Sequence, residues 1–158
     1  MPTHALYDVL YSFKDIHKVV LGLAESLNDD QLCWRPEGYS TSIGFHLWHL
    51  ARESDYLKAA ILHHYPGLGD EVAASLPIPR KAELLSYLKN SYDTIEQFVE
   101  KLDTHYPDFA NPDEDFQKKL SNIRLNLLVF LTHDCSHLGM MKCLKGLQTG
   151  FGSATEKR

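Results

Sequence analysis

The chain has 158 residues, of which 44% are hydrophobic and 23% are charged, and its formal net charge is -5. This length suits one domain, and the composition excludes an intrinsically disordered chain. The acidic balance and the lack of any Lys/Arg cluster argue against nucleic-acid and anionic-membrane partners. We therefore expect one folded domain over residues 1–152 and a flexible C-terminal tail over residues 153–158.

Neither a signal peptide nor a membrane span is predicted. The first residues lack a basic segment followed by an apolar run, and the longest apolar stretch, Leu125 to Leu131, contains Asn126. Crossing a bilayer takes about 20 apolar residues. The three cysteines have irregular spacing, which predicts reduced thiols instead of a disulfide framework. These features predict a cytoplasmic protein.

Apolar residues recur every three or four positions in four segments, which is the pattern of amphipathic helices. The predicted helices run over about 5–27, 42–63, 80–102 and 121–147. Ser40, Thr41 or Ser42 can supply the N-cap of the second helix. Asp29 to Leu32 offers a further short turn of helix. The acidic segment from Asp103 to Phe116 contains two prolines and is predicted to be a loop.

Four amphipathic helices must bury their apolar stripes against one another, so the predicted fold is an all-α four-helix bundle. The predicted linkers have roughly 14 to 18 residues, longer than the tight turns of a minimal bundle. Loops of this length permit one crossover connection.

The nine histidines are the unusual feature of the composition. His133 and His137 lie four residues apart, on the helix face that also carries Met141, about one turn from each other. On the second helix, His46, His49 and Glu53 flank the apolar arc. Buried imidazoles and carboxylates are costly without partners, and a cation placed among them removes that cost.

The pattern alone leaves alternatives open. The histidine pair on the last helix is also compatible with a solvated or hydrogen-bonded pair, and Glu53 with a rim residue paired to Arg52. If a metal binds, its third ligand must come from another helix, and His46, His49 and Glu53 are all candidates. The remaining histidines are predicted to be surface residues (His4, His17, His105) or helix-end caps (His63, His64).

Three motifs carry a family resemblance. The segment from Ser42 to Glu53 resembles the second helix of DinB-like proteins, the segment from His133 to Gly139 resembles their fourth, and Trp34-Arg35-Pro36 resembles the preceding loop. The resemblance implies a DinB/YfiT-like bundle, usually dimeric, with a metal held by three histidines. Residue by residue, these match His49, His133 and His137. Relatives often have a polar residue soon after the HLG motif, whereas this chain has Met140-Met141, which bears on any substrate contact there.

The resemblance also implies function. Three protein ligands leave an open coordination position, and relatives include metal-dependent hydrolases and thiol transferases. We expect one divalent metal, zinc or nickel first and iron or manganese next. The expected partners are a small-molecule substrate, such as a low-molecular-weight thiol, and a second copy of the chain in a homodimer. The alternative is a non-catalytic, stress-related dimeric bundle that acts as an interaction module.

Individual roles follow from position. Glu53 is the candidate general base, because it lies one turn from His49. Asp134 is a weaker candidate for orienting a neighbouring ligand. Cys135 lies between the two histidines in sequence but faces away from them on a helix, so it is not assigned as a nucleophile.

Overall fold

The computed structural model describes residues 4–61, 79–105 and 114–150, with side chains over 6–57, 79–100 and 123–150. Within these ranges the chain is all-α and has no strand, as predicted. It forms four long helices and one short one. They are α1 (His4–Glu25), α2 (Asp29–Cys33), α3 (Ile43–Ile61), α4 (Lys81–His105) and α5 (Glu114–Thr149).

Local hydrogen bonds explain where several helices begin and end. The side chains of Asn28 and Gln31 each accept a hydrogen bond from the other residue's backbone N–H, which forms a capping box at the start of α2. The Ser42 hydroxyl accepts from the Phe45 N–H at 3.2 Å and caps α3. Gly150 has a φ of 66°, the left-handed conformation in which helices such as α5 commonly end.

The directions of the long helices follow from side-chain contacts between them. Helices α1 and α5 are parallel, because His17 lies beside Asp134 and Ser26 beside Lys145. Cross-helix contacts show that α3 runs antiparallel to α5, and α4 antiparallel to α1. In chain order, the long helices α1, α3, α4 and α5 therefore run up, down, down and up. Such an order requires one crossover connection, which the predicted linker lengths permit.

The core has two apolar clusters, one toward each end of the bundle. The first surrounds the C-terminal half of α1 and includes Val20, Leu27, Leu47, Leu50, Leu88 and Met141. The second surrounds the N-terminal half of α1 and includes Leu6, Phe13, Leu57, Ile95 and Leu127. On α1 and α5, buried polar residues lie between the clusters: His17, Asp134 and His137. His17 and His137 therefore lie inside the bundle.

The prediction of a loop from Asp103 to Phe116 is wrong at both boundaries. Helix α4 continues to His105, and α5 already begins at Glu114. Acidic residues are compatible with an exposed helix, and they favour its first turn, where the macrodipole is positive. Pro112 precedes α5, so it does not interrupt the helix. The predicted tail over 153–158 lies outside the described residues. In the described part of the chain, no helix has a stretch long and apolar enough to cross a membrane.

Candidate metal centre

Three imidazoles from two antiparallel helices converge at one point. His49 comes from α3, and His133 and His137 come from successive turns of α5. The His133 Nε2 atom lies 3.3 Å from His49 Nε2 and 3.0 Å from His137 Nε2. One ligand atom from each of the three residues lies within 4.8 Å of the other two. The structure therefore brings together the three histidines that the sequence singled out.

The spacing of these nitrogens fits a metal site. Two imidazole nitrogens bound tetrahedrally at about 2.0–2.1 Å from one ion are about 3.3 Å apart. The two Nε2–Nε2 distances at His133, 3.3 and 3.0 Å, are close to that value. Imidazole donors suit zinc, copper, iron and nickel. The three residues could thus hold one divalent transition metal without large movement of either helix.

The centre is buried on one side and accessible on the other. His137 is 9% exposed as a residue, whereas the His133 side chain is 33% exposed. On the accessible side, the Glu53 Oε1 atom lies 3.9 Å from His49 Nε2, and the Glu53 side chain is 23% exposed. The three-histidine group therefore lies at the boundary between the buried interior and the partly exposed surface, with a carboxylate beside it.

Aromatic rings pack against two of the three histidines. The Phe45 ring is stacked 6.0 Å from His49, and the Phe130 ring lies 6.3 Å from His133, centroid to centroid. Tyr56 stacks on Phe130 at 6.1 Å. His49 and His133 therefore each have an aromatic ring packed beside them.

Burial keeps the imidazoles of His137 and of the neighbouring His46 on α3 neutral at physiological pH. It lowers the pKa of His46 to about 4, with a smaller contribution from the nearby His49. Burial also lowers the pKa of His137 to about 3, with help from His133 and the other neighbouring histidines. Only neutral imidazole has a lone pair for a metal, so His137 is in the protonation state that a ligand needs.

The prediction that His17 lies at the surface is wrong. His17 is 2% exposed, its Nδ1 atom lies 2.7 Å from Glu96 Oε1, and its ring stacks on Tyr92 with centroids 3.6 Å apart. Its Nε2 atom lies 3.5 Å from Asp134 Oδ2. Burial alone would lower the pKa of His17, but the contacts with Asp134 and Glu96 outweigh it and raise the pKa. His17 thus lies between two carboxylates that favour its protonated form.

A signal for this burial was present in the sequence. His17 follows Phe13 by four residues and precedes Val20 by three, so it lies on the apolar face of α1. Asp134, predicted to orient a ligand, is 4% exposed. Its Oδ1 atom lies 3.8 Å from His133 Nδ1, while Oδ2 faces His17. Asp134 therefore lies between the candidate ligand His133 and the buried ring of His17.

Other predicted residues contribute nothing to the centre in the described part of the chain. Cys33, Cys135 and Cys143 are exposed free thiols, as expected. The Arg52 guanidinium lies over the Trp48 ring, 4.7 Å from its centroid. The side chains of His4 and His105, and the whole of His63 and His64, lie outside the described residues.

The molecule is therefore an all-helical bundle with a three-histidine group of the kind that binds a divalent metal. A model of the DinB superfamily matches residues 12–141, which is more than half of the chain. The chain belongs to the DinB superfamily. Comparisons with curated proteins and with solved structures found no match.

Proposed function

We propose that this protein is a metal-dependent enzyme, a hydrolase or a thiol transferase, that acts on a small molecule. One observation carries the proposal. The Nε2 atoms of His49 and His133 lie 3.3 Å apart, and a carboxylate oxygen lies 3.9 Å from the first of them. A metal centre with an adjacent base is the arrangement used to activate a nucleophile.

His49, His133 and His137 would hold the metal, and zinc or nickel is the first expectation, with iron or manganese next. When bound, such an ion lowers the pKa of a coordinated water or thiol and so makes it a better nucleophile at neutral pH. Three protein ligands leave room for that group, which distinguishes catalytic from structural sites. The same centre therefore serves water in a hydrolase and a low-molecular-weight thiol in a transferase.

The chain's own residues have separate tasks in this proposal. Glu53 accepts the proton that the nucleophile loses, because its carboxylate lies beside His49 and is only 23% exposed. Phe45 and Phe130, which pack against His49 and His133, contact the apolar part of the substrate. The homodimer, the cytoplasmic location and the absence of nucleic-acid and membrane partners stay predictions.

Metal binding by protein purified without an immobilised-metal column tests the first half of the proposal. We expect one equivalent of zinc or nickel, and at least a tenfold loss of affinity in the His133→Ala variant, with unchanged helical circular dichroism. Cys135→Ala is the matched control, because Cys135 is an exposed residue on the same helix. Equal affinity in the wild type and the His133→Ala variant would contradict the assignment.

Turnover tests the second half. The metal-loaded protein is assayed against esters, amides and pairs of a thiol with an electrophile. Hydrolysis without thiol identifies a hydrolase, and turnover that requires thiol identifies a transferase. Stoichiometric metal with no turnover in any arm overturns the enzyme proposal and favours the non-catalytic interaction module.

A further inference from the structure

A fourth histidine contacts the three-histidine group through His137. His46 is on α3, one turn before His49, and it is 3% exposed. Its Nδ1 atom lies 2.8 Å from His137 Nδ1, a hydrogen-bond distance between side chains 91 residues apart in sequence. The sequence placed His46 beside the apolar arc of the helix and made it one of three candidates for the third ligand.

The two ring nitrogens of His137 face different groups. Nε2 lies 3.0 Å from His133 Nε2 and belongs to the three-histidine group, whereas Nδ1 faces His46. A neutral imidazole carries one proton, on one of these two nitrogens. If Nε2 is to offer a lone pair, the proton must be on Nδ1, where the acceptor within reach is His46 Nδ1.

His46 is placed to accept that proton and not to bind the same ion. It approaches His137 from the nitrogen opposite the group of three, and it is not among the residues whose ligand atoms cluster within 4.8 Å. The ring centroids of His46 and His137 are 4.9 Å apart, and Phe45 packs edge-on against His46. The packing holds the acceptor in place and keeps bulk water from substituting for it.

We propose that His46 is a positioning residue that fixes His137 in the tautomer with the proton on Nδ1 and so directs its Nε2 lone pair to the metal. The inference rests on the proposed metal function. Ligand histidines generally donate their second N–H to a fixed acceptor, and loss of that acceptor costs roughly 10- to 100-fold in metal affinity. Here the acceptor is another neutral imidazole, which must carry its own proton on Nε2.

The test uses the full-length, metal-free protein with ¹⁵N-labelled histidine. Long-range ¹H–¹⁵N spectra distinguish the two tautomers of each ring, and the His137 signals are identified by their loss in the His137→Gln variant. We expect His137 to carry its proton on Nδ1 in the wild type. A wild-type spectrum with the proton on Nε2 would overturn the proposal, whatever the metal affinity.

Two variants of His46 separate positioning from packing. His46→Leu removes the acceptor, and we expect loss of the uniform tautomer and roughly 10- to 100-fold weaker zinc binding. His46→Asn places an amide oxygen near the position of Nδ1, and we expect the wild-type tautomer and nearly wild-type affinity. If both variants lose the same stability and the His137 tautomer stays unchanged in each, His46 is only a packing residue.

The proposed function fails in a different way. If His133→Ala and the wild type bind zinc equally, the three-histidine site is wrong, and the tautomer of His137 then has no consequence for a metal. If His133→Ala loses zinc while His46→Leu retains full affinity, the metal site stands and the role of His46 is overturned.

Discussion

Glu53 is the residue on which the enzymatic half of the proposal depends. It shares α3 with His49 at a spacing of four, so the helix itself fixes the 3.9 Å contact between its carboxylate and the His49 ring. A general base contributes about 10²- to 10⁴-fold to a rate when it is correctly placed. The Glu53→Gln variant keeps the shape of the side chain and removes its ability to accept a proton.

We therefore expect Glu53→Gln to lower kcat by about 10²- to 10⁴-fold on whichever substrate the turnover assay identifies. Metal affinity should change little, because Glu53 is not one of the three proposed ligands. Asp55→Asn is the matched control, since Asp55 is an exposed carboxylate on the same helix whose Oδ2 accepts from the Tyr87 hydroxyl on α4. Equal rates in the Glu53→Gln variant and the wild type would remove Glu53 from the mechanism.

The sequence predicted which three histidines lie close together where periodicity and motif agreed. The HxxxH spacing placed His133 and His137 on one face of α5, and the family resemblance selected His49 from α3. The wheel of α3 alone could not separate His46 from His49, because both flank the same apolar arc. Only the position of α5 shows that His49 contacts His133 Nε2, whereas His46 contacts His137 Nδ1.

At the scale of elements, α3 is the helix that most needs a defined start, because it carries His46, His49 and Glu53 in its first three turns. Ser42 supplies that start. Its hydroxyl accepts from the Phe45 N–H, and the residue is fully buried. The sequence offered Ser40, Thr41 and Ser42 as caps, and the structure selects Ser42, which directly precedes the first helical residue.

Removal of the cap leaves the Phe45 N–H without its side-chain acceptor. For Ser42→Ala we expect a loss of about 0.5–2 kcal/mol in the free energy of unfolding, measured by urea denaturation with unchanged m-value. Ser40→Ala is the control, because Ser40 is exposed and lies two residues before the N-cap Ser42, and its effect should stay within about 0.5 kcal/mol. Equal stabilities of the two variants would show that the cap lies elsewhere.

Element boundaries were predictable to different degrees for physical reasons. The apolar arc of α3 (Ile43, Leu47, Leu50, Leu57) is buried as its periodicity predicted. The start of α5 was placed at Ser121 instead of Glu114, because acidic residues next to a proline are common in loops. The same residues also suit the first turn of a helix, and composition cannot distinguish the two.

At the scale of the whole molecule, the buried histidines give the metal-free bundle a stability optimum in pH. His46 and His137 have folded-state pKa values of about 4 and about 3, below the value of about 6.5 expected in the unfolded chain. As the pH falls below about 6.5, the unfolded chain takes up protons that the native state refuses, so stability is lost. Because the pKa of His17 is raised, its contribution to stability depends on pH in the opposite direction. Its contribution is complete below about 6.5 and is lost as the pH rises through the raised value.

We expect urea denaturation of the metal-free protein to show declining stability from pH 6.5 toward pH 4.5. In that window the lowered pKa values of His46 and His137 reduce stability, whereas the contribution of His17 is already complete and does not change. Above pH 6.5, a second decline should appear and should vanish in the His17→Gln variant, which has no titratable ring between Glu96 and Asp134. That variant should be less stable at pH 6 but should keep the acid-side slope, since His46 and His137 are intact. Stability that stays flat or rises from pH 6.5 to 4.5 would contradict the neutral state of the buried pair, and with it the protonation state that His137 needs as a ligand.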